Sequence, residues 1–155
     1  MASDVFTRLC PVDLLSVMMW GEARGEPLEG RVAVGCVARN RANNRGQSLA
    51  TVILQPNQFS CFSPKGGGTN YVSVMDAATR LVARDNTIML DPVWHETAYL
   101  AAGIVARIIR DNTGGADHYM TRSLFYSPAQ PRWAAPELMV VTLEVGRHVF
   151  LRSKT

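Results

Sequence analysis

No apolar run in this sequence approaches the ~20 residues that a membrane-spanning helix requires. The stretch before Glu22 is broken by Arg8, Pro11 and Asp13, which also spoils the pattern of a secretory signal peptide. The expectation is a protein with neither anchor nor export signal. Cysteine is scarce: Cys10, Cys36 and Cys61 are far apart, odd in number and without a Cys-x-x-Cys pair. That fits neither a disulfide framework nor a zinc knuckle, and it predicts free thiols in a chain that folds in a reducing cytoplasm. His95, His118 and His148 are too dispersed for a sequence-local metal site, and His95-Glu96-Thr97-Ala98-Tyr99 lacks the second histidine of a zincin. Ser63-Pro64-Lys65-Gly66-Gly67-Gly68-Thr69 lacks the Gly-Lys-Ser/Thr order of a phosphate loop. No metal and no cofactor are expected. Repeats, low-complexity tracts and linker-like composition shifts are missing as well, so residues 1–155 read as one domain.

What is present is core material: 47% of the 155 residues are hydrophobic and 19% are charged, which excludes intrinsic disorder. The net charge of +3 is mild but uneven. From Gly30 to Met75 the chain carries Arg31, Arg39, Arg41, Arg45 and Lys65 without an acid, whereas Asp4, Asp13, Glu22, Glu26 and Glu29 precede them. A basic face follows, suited to nucleic acid, an anionic envelope polymer or a membrane surface, or simply to water. A nucleic-acid domain using Arg31, Arg39, Arg41 and Arg45 stays open on charge alone, although no recognition motif accompanies them.

Hydrophobic spacing predicts a helix over about Val12 to Arg24, with Leu15, Met18, Met19 and Glu22 on one stripe, ended by Gly25 as a left-handed cap. A second helix is predicted from Leu28 to Asn43, its arginines facing outward. Ser48 is placed to cap a short helix that Pro56 stops. The runs Asn57 to Phe62 and Asn70 to Val74 around the glycine-rich stretch predict a β-hairpin with a mobile tip. Helices are then predicted over Val74 to Ala83 and Pro92 to Arg110, the latter ended by Asp111 to Gly115, followed by extended segments at Ala116 to Met120 and Leu138 to Phe150.

Among polar residues, Glu22 stands out. A carboxyl on the buried stripe of a helix must be paired or have its ionised form destabilised, and one kept protonated near neutral pH is a general acid of the kind that cleaves glycosides. An ion pair with Arg24 or another arginine is the structural alternative. Glu26, at the corner before Pro27, reads as a capping or loop-bracing residue rather than a second catalytic acid. His118 after the Gly114-Gly115 turn could place a polar ring in a cleft. Tyr71, Tyr119, Phe125, Tyr126 and Trp133 are candidates for a sugar-stacking wall or for ordinary packing.

Several segments in order resemble one family. Trp20-Gly21-Glu22-Ala23-Arg24-Gly25-Glu26-Pro27, then Glu29 to Gly35 and Asn40-Arg41, resemble the opening of the SleB-type, spore-cortex-lytic cell wall hydrolases. Gln55-Pro56-Asn57-Gln58-Phe59-Ser60, Thr113-Gly114-Gly115-Ala116-Asp117-His118-Tyr119 and Gly146-Arg147-His148-Val149-Phe150 continue the likeness over about residues 14 to 151. The resemblance implies an α+β, mainly helical, lysozyme-like fold with a small β element. It also implies cleavage of peptidoglycan glycan strands between N-acetylmuramic acid and N-acetylglucosamine, with Glu22 catalytic. Gln58, Ser60, His118, Tyr119 and Trp133 are the expected substrate contacts. Met120 and Thr121 depart from the Tyr-Tyr-Asn-Pro or His-Tyr-His run of many relatives.

With no cell-wall-binding repeat and no signal peptide in view, the chain is similar to compact bacteriophage endolysins. Such a protein is made in the host cytoplasm, reaches the wall through a lesion made by a holin-type partner, binds no nucleic acid and works as a monomer. The lack of an obvious second catalytic acid favours a lytic transglycosylase. A hydrolytic muramidase or glucosaminidase, or a non-catalytic wall-binding phage structural protein, are the alternatives.

Overall fold

The computed structural model describes residues 3–155. A short α1 (Asp4–Thr7) leads into α2 (Pro11–Ala23), α3 (Leu28–Arg45) and α4 (Leu49–Leu54). After a 3-10 turn at Ser60–Phe62 come α5 (Gly68–Val82), a second 3-10 turn at Asn86–Leu90, and α6 (Pro92–Val105). The last third holds β1 (His118–Thr121), α7 (Arg122–Phe125), a 3-10 turn at Arg132–Ala134, β2 (Met139–Val145) and β3 (His148–Ser153). The strands form one antiparallel sheet in the order β1-β3-β2, with Tyr119 opposite Phe150 and Val145 opposite His148. Among the described residues no helix is long and apolar enough to cross a membrane.

The core is built around α2. Its Leu14, Leu15, Val17, Met18 and Met19 are all fully buried, because α3, α5 and α6 pack around it. A helix enclosed in this way is apolar on nearly every side, so the glutamate in its last turn stands out more than a single stripe suggests. Capping follows the sequence closely: Ser48 accepts from the Thr51 amide at the start of α4, and Asp91 accepts from the Val93 and Trp94 amides with Pro92 in the first turn of α6. Along β3, Val149 and Leu151 join Met120, Ala134 and Met139 in a small second core, while Phe150 points into the main one.

Several expectations fail for identifiable reasons. The region around the glycine-rich stretch is not a hairpin: α5 begins at Gly68, and Val74, Ala77 and Ala78 bury a helical stripe against α2. The 3.6-residue period outweighs the β-prone composition of Asn70 to Val74. Helix α6 stops at Val105, before Arg110, because Arg107 takes a left-handed backbone and the Ile108 and Ile109 amides turn back to the Gly103 carbonyl. Ile108 is therefore exposed instead of extending the apolar row. Arg31 and Arg41 are buried rather than outward-facing. Gly25 is not a left-handed cap: α2 is closed by Arg24 in the right-handed region, and the Arg147 side chain lies over Gly25. The expected extended segment Leu138 to Phe150 is two strands, separated by a turn at Gly146 with φ of 57°.

Gly21 is the point of closest approach in the main core. A Cβ there would lie 2.6 Å from Val74 Cγ1 and 2.9 Å from Cys61 Cβ and Sγ. Gly21→Ala is thus expected to cost about 1–3 kcal/mol by overpacking, read as a lower melting temperature. An unchanged melting temperature would mean that α5 moves away freely.

Candidate active site

The end of α2, the segment from Asn57 to Gly66 and strand β1 enclose a cleft of about 510 Å³. Glu22, Arg41, Gln58, Ser60, Tyr119, Trp133 and His148 are among its lining residues. The wall opposite α2 is the 3-10 turn at Ser60–Phe62 together with the chain that approaches α5, in the region expected to be a hairpin. This turn brings its backbone to the carboxyl. The Cys61 amide donates to Glu22 Oε1 at 2.8 Å, and the Ser60 hydroxyl donates to the same oxygen at 3.2 Å. The Tyr119 hydroxyl, from β1, donates to Oε2 at 2.7 Å. Three donors from two elements, the 3-10 turn and β1, thereby hold one carboxyl plane.

No cation lies within ion-pair distance of Glu22 among the described residues. Arg24, the candidate partner, turns away to Asn70 Oδ1 at 2.6 Å and stacks over Trp20. Glu22 is half-buried and opens onto the cleft, so it is neither a core ion pair nor a fully solvated acid. Its donors stay protonated. Burial, and after it the negative charge of Glu22, pushes the Tyr119 hydroxyl well above the ordinary phenol range. The same two effects raise the Cys61 thiol far above its usual range, so the thiol is no nucleophile.

The other expected contacts divide. Gln58 and Ser60 line the cleft, with Gln58 Oε1 accepting from Arg41 Nη1 at 3.1 Å. Trp133 is 38% exposed on the cleft wall, and His118 lies behind it, with ring centroids 5.0 Å apart. His118 does not line the cleft; it supports Trp133 and places Nδ1 2.9 Å from Asp117 Oδ1. Of the remaining aromatics, Tyr71 packs against Phe6, Phe125 packs on the second core and Tyr126 is bonded to Glu144. None of these three lines the cleft. Among the described residues no group of three His, Cys, Asp or Glu side chains converges to hold a metal.

Glu26 braces the loop, but its partners come from a distant turn. Its Oε1 accepts from the Arg147 amide at 3.2 Å and lies 2.9 Å from His148 Nδ1 without the alignment of a hydrogen bond. Gly146 makes room for it, since a Cβ there would come within 2.6 Å of Glu26 Oε2. Glu26 thus fixes the β2–β3 turn, and with it His148. Burial lowers the pKa of His148 despite the nearby Glu26 and Glu22 charges, which favours the neutral ring. Glu26→Gln is expected to cost about 1–2 kcal/mol of stability and to leave turnover nearly unchanged. A selective loss of turnover without destabilisation would give Glu26 a chemical role.

Two cleft residues escaped the sequence reading. The spacing of α3 predicts Arg41 to face outward, and His148 falls in a closing strand with no local signal that it reaches a cleft. The motifs containing them, Asn40-Arg41 and Gly146-Arg147-His148, were visible. Their convergence needs β3 beside β1 and Arg41 beside the start of β1, where Arg41 Nε donates to the Asp117 carbonyl at 2.9 Å.

A mainly helical scaffold with a small antiparallel sheet, and a cleft with one glutamate at the end of its central helix, define a class. The chain belongs to the cell wall hydrolase family, whose model matches residues 25–151. Glu22 lies just before that match. The chain is 45% identical over 51 residues to a spore cortex-lytic enzyme of Bacillus subtilis (strain 168), covering 32% of this chain and 17% of that protein. It is 27% identical over 141 residues to the spore cortex-lytic enzyme of Halalkalibacterium halodurans, covering 90% of this chain and 34% of that protein. The chain therefore spans a third or less of the length of these curated relatives, give or take a percentage point. The catalytic domain of the Bacillus cereus SleB protein superimposes with a TM-score of 0.54 at 21% identity, covering 98% of this chain and 93% of that one. The fold is the lysozyme-like one that the motifs implied.

Proposed function

We propose that the chain degrades peptidoglycan by breaking the glycan bond between N-acetylmuramic acid and N-acetylglucosamine, as a lytic transglycosylase with Glu22 as its acid and then its base. The observation that carries this reading is that Glu22 is the one carboxylic acid among the residues lining the cleft. Hydrolysis by a pair of carboxyl groups needs a second one roughly 5–9.5 Å away, facing the same sugar. Glu26 is instead held by the β2–β3 turn, and Asp117 is bonded to His118 and Ser153.

The hydrogen bonds suit one oxygen of Glu22 better than the other to carry the proton in the reacting acid. Oε1 accepts from both the Cys61 amide and the Ser60 hydroxyl, whereas Oε2 accepts only from Tyr119, so Oε2 is the oxygen through which the reading passes the proton. Glu22 gives that proton to the glycosidic oxygen as the C1–O bond breaks, and the muramic ring gains oxocarbenium character. The resulting carboxylate takes the proton of the muramic 6-hydroxyl, whose oxygen closes onto C1. The products are a 1,6-anhydro end and a new 4-hydroxyl, and Glu22 is again protonated. Trp133 offers a flat face to a sugar ring, and Gln58 and Ser60 offer polar contacts beside it.

Tyr119→Phe removes the donor on Oε2 and keeps the ring that packs on Phe59 and Phe150. Turnover is expected to fall about 10- to 100-fold with a normal melting curve, on the scale of losing one hydrogen bond in the transition state; undiminished turnover would remove Tyr119 from the chemistry.

The cellular reading is a phage endolysin, monomeric, made in the host cytoplasm and released to the wall through a holin-type lesion. The three free cysteines support folding in a reducing compartment. Loss of turbidity in permeabilised cells tests the enzyme. Binding to walls without clearing them would favour a wall-binding structural protein. Lysis of intact cells only when a membrane-lesion protein is co-expressed tests the route.

A further inference from the structure

Arg41 is a buried cation without a carboxylate partner. It is 5% exposed, and no Asp or Glu forms an ion pair with it among the described residues. Its neutral partners account for two of its three nitrogens: Nε donates to the Asp117 carbonyl at 2.9 Å and Nη1 to Gln58 Oε1 at 3.1 Å. The guanidinium lies over the Phe59 ring, 5.0 Å from its centroid. Nη2 bonds to no protein atom, yet it is not among the sealed, unsatisfied nitrogens, and Arg41 lines the cleft that Glu22 opens onto. An unpaired buried charge is costly unless something supplies the counter-charge. Here the guanidinium belongs to a residue that lines the cleft where a ligand would lie.

We propose that Arg41 is a specificity residue that takes a carboxylate of the bound glycan, through Nη2, in the cleft it shares with Glu22. The inference rests on the proposed glycan substrate. The neutral parts of such a strand, hydroxyls and acetamido groups, occur on both sugars. A carboxylate occurs only on the muramic unit, either as the bare lactyl group or on the peptide attached to it. Both sources share the chemistry that a guanidinium reads. Recognition of this kind would set the register of the strand, putting the muramic C1, rather than that of its neighbour, beside Glu22.

Binding is measured with the Glu22→Gln protein, so that no ligand is consumed. The ligands are a muramic-containing glycan fragment with free lactyl carboxylates, the same fragment methyl-esterified, and the fragment carrying intact peptides. Esterification is expected to weaken binding about tenfold, as for losing one charge-assisted hydrogen bond, and Arg41→Gln is expected to erase that difference. Arg41→Lys, which keeps the charge but not the planar fork, should retain part of it. Melting curves confirm that each variant is folded, and if Arg41→Gln is not, Arg41→Lys together with the esterified ligand still decides. Selectivity for the bare fragment identifies the lactyl group, and equal or stronger binding of the peptide-bearing fragment identifies the peptide. Equal affinity of the Glu22→Gln protein for the acid, its ester and the peptide-bearing fragment overturns the proposal. Cleavage of walls by the protein carrying Glu22 is scored separately, so failure of the enzymatic reading and failure of the carboxylate contact are distinguishable.

Discussion

Replacing Glu22 by glutamine is expected to reduce peptidoglycan cleavage by about 10²- to 10⁴-fold, the scale of losing a positioned general acid, while the melting curve stays in place. Glutamine has the same shape, and its oxygen can keep the Cys61 amide and Ser60 hydroxyl bonds that Glu22 Oε1 makes now. Its amide nitrogen would face the Tyr119 oxygen, which can reverse its role and accept. Folding is therefore preserved and only the transferable proton is lost. A folded Glu22→Gln protein that clears walls at the original rate would remove Glu22 from the chemistry.

The second large effect is on stability, at Asp117. Its carboxylate accepts from the Ser153 amide at 3.0 Å and the Ser153 hydroxyl at 2.8 Å, and it meets His118 Nδ1 at 2.9 Å. It also receives Asn44 from α3. Asp117→Ala removes these together and leaves the half-buried Ser153 amide without its partner. The expected loss is about 2–4 kcal/mol, which lowers the melting temperature by roughly 4–16 °C for a chain of this length. Burial opposes the ionised form, but the bonds from His118 and Ser153 outweigh it and hold Asp117 well below the ordinary carboxylate range. The sign follows. A depressed folded-state pKa stabilises the protein above the unfolded value, near pH 4, and that contribution is lost as the pH falls from there through the folded value. Chemical denaturation across that range should show the parent protein losing more stability on acidification than Asp117→Ala. Parallel acid profiles would contradict this linkage.

Much of the helical half was legible because local signals agreed with one another there. In α2, α3 and α4 the apolar spacing, the Ser48 cap and the proline positions all point the same way, and the structure follows them to within about two residues. The sequence reading failed where local and tertiary signals conflict. The glycines before α5 resemble a hairpin tip until α2 is present to bury Val74 and Ala77, and the apolar row of α6 runs past the point where the backbone reverses. At the site, Glu22 was legible as an acid on an apolar helix. Its Tyr119 and Ser60 contacts were anticipated only as substrate binders, although both bond to Glu22 itself. Arg41 and His148 could not be found from spacing, because only the sheet order β1-β3-β2 and the packing of α3 bring them to the cleft.

The central claim is that one carboxyl group performs both proton transfers. Identifying the sugar ends released from purified peptidoglycan by mass spectrometry tests it most directly. With Glu22 present, the expected products carry 1,6-anhydromuramic ends, and with Glu22→Gln those ends disappear. Reducing ends from the parent protein would contradict the account, because they require water as the nucleophile in place of the muramic 6-hydroxyl.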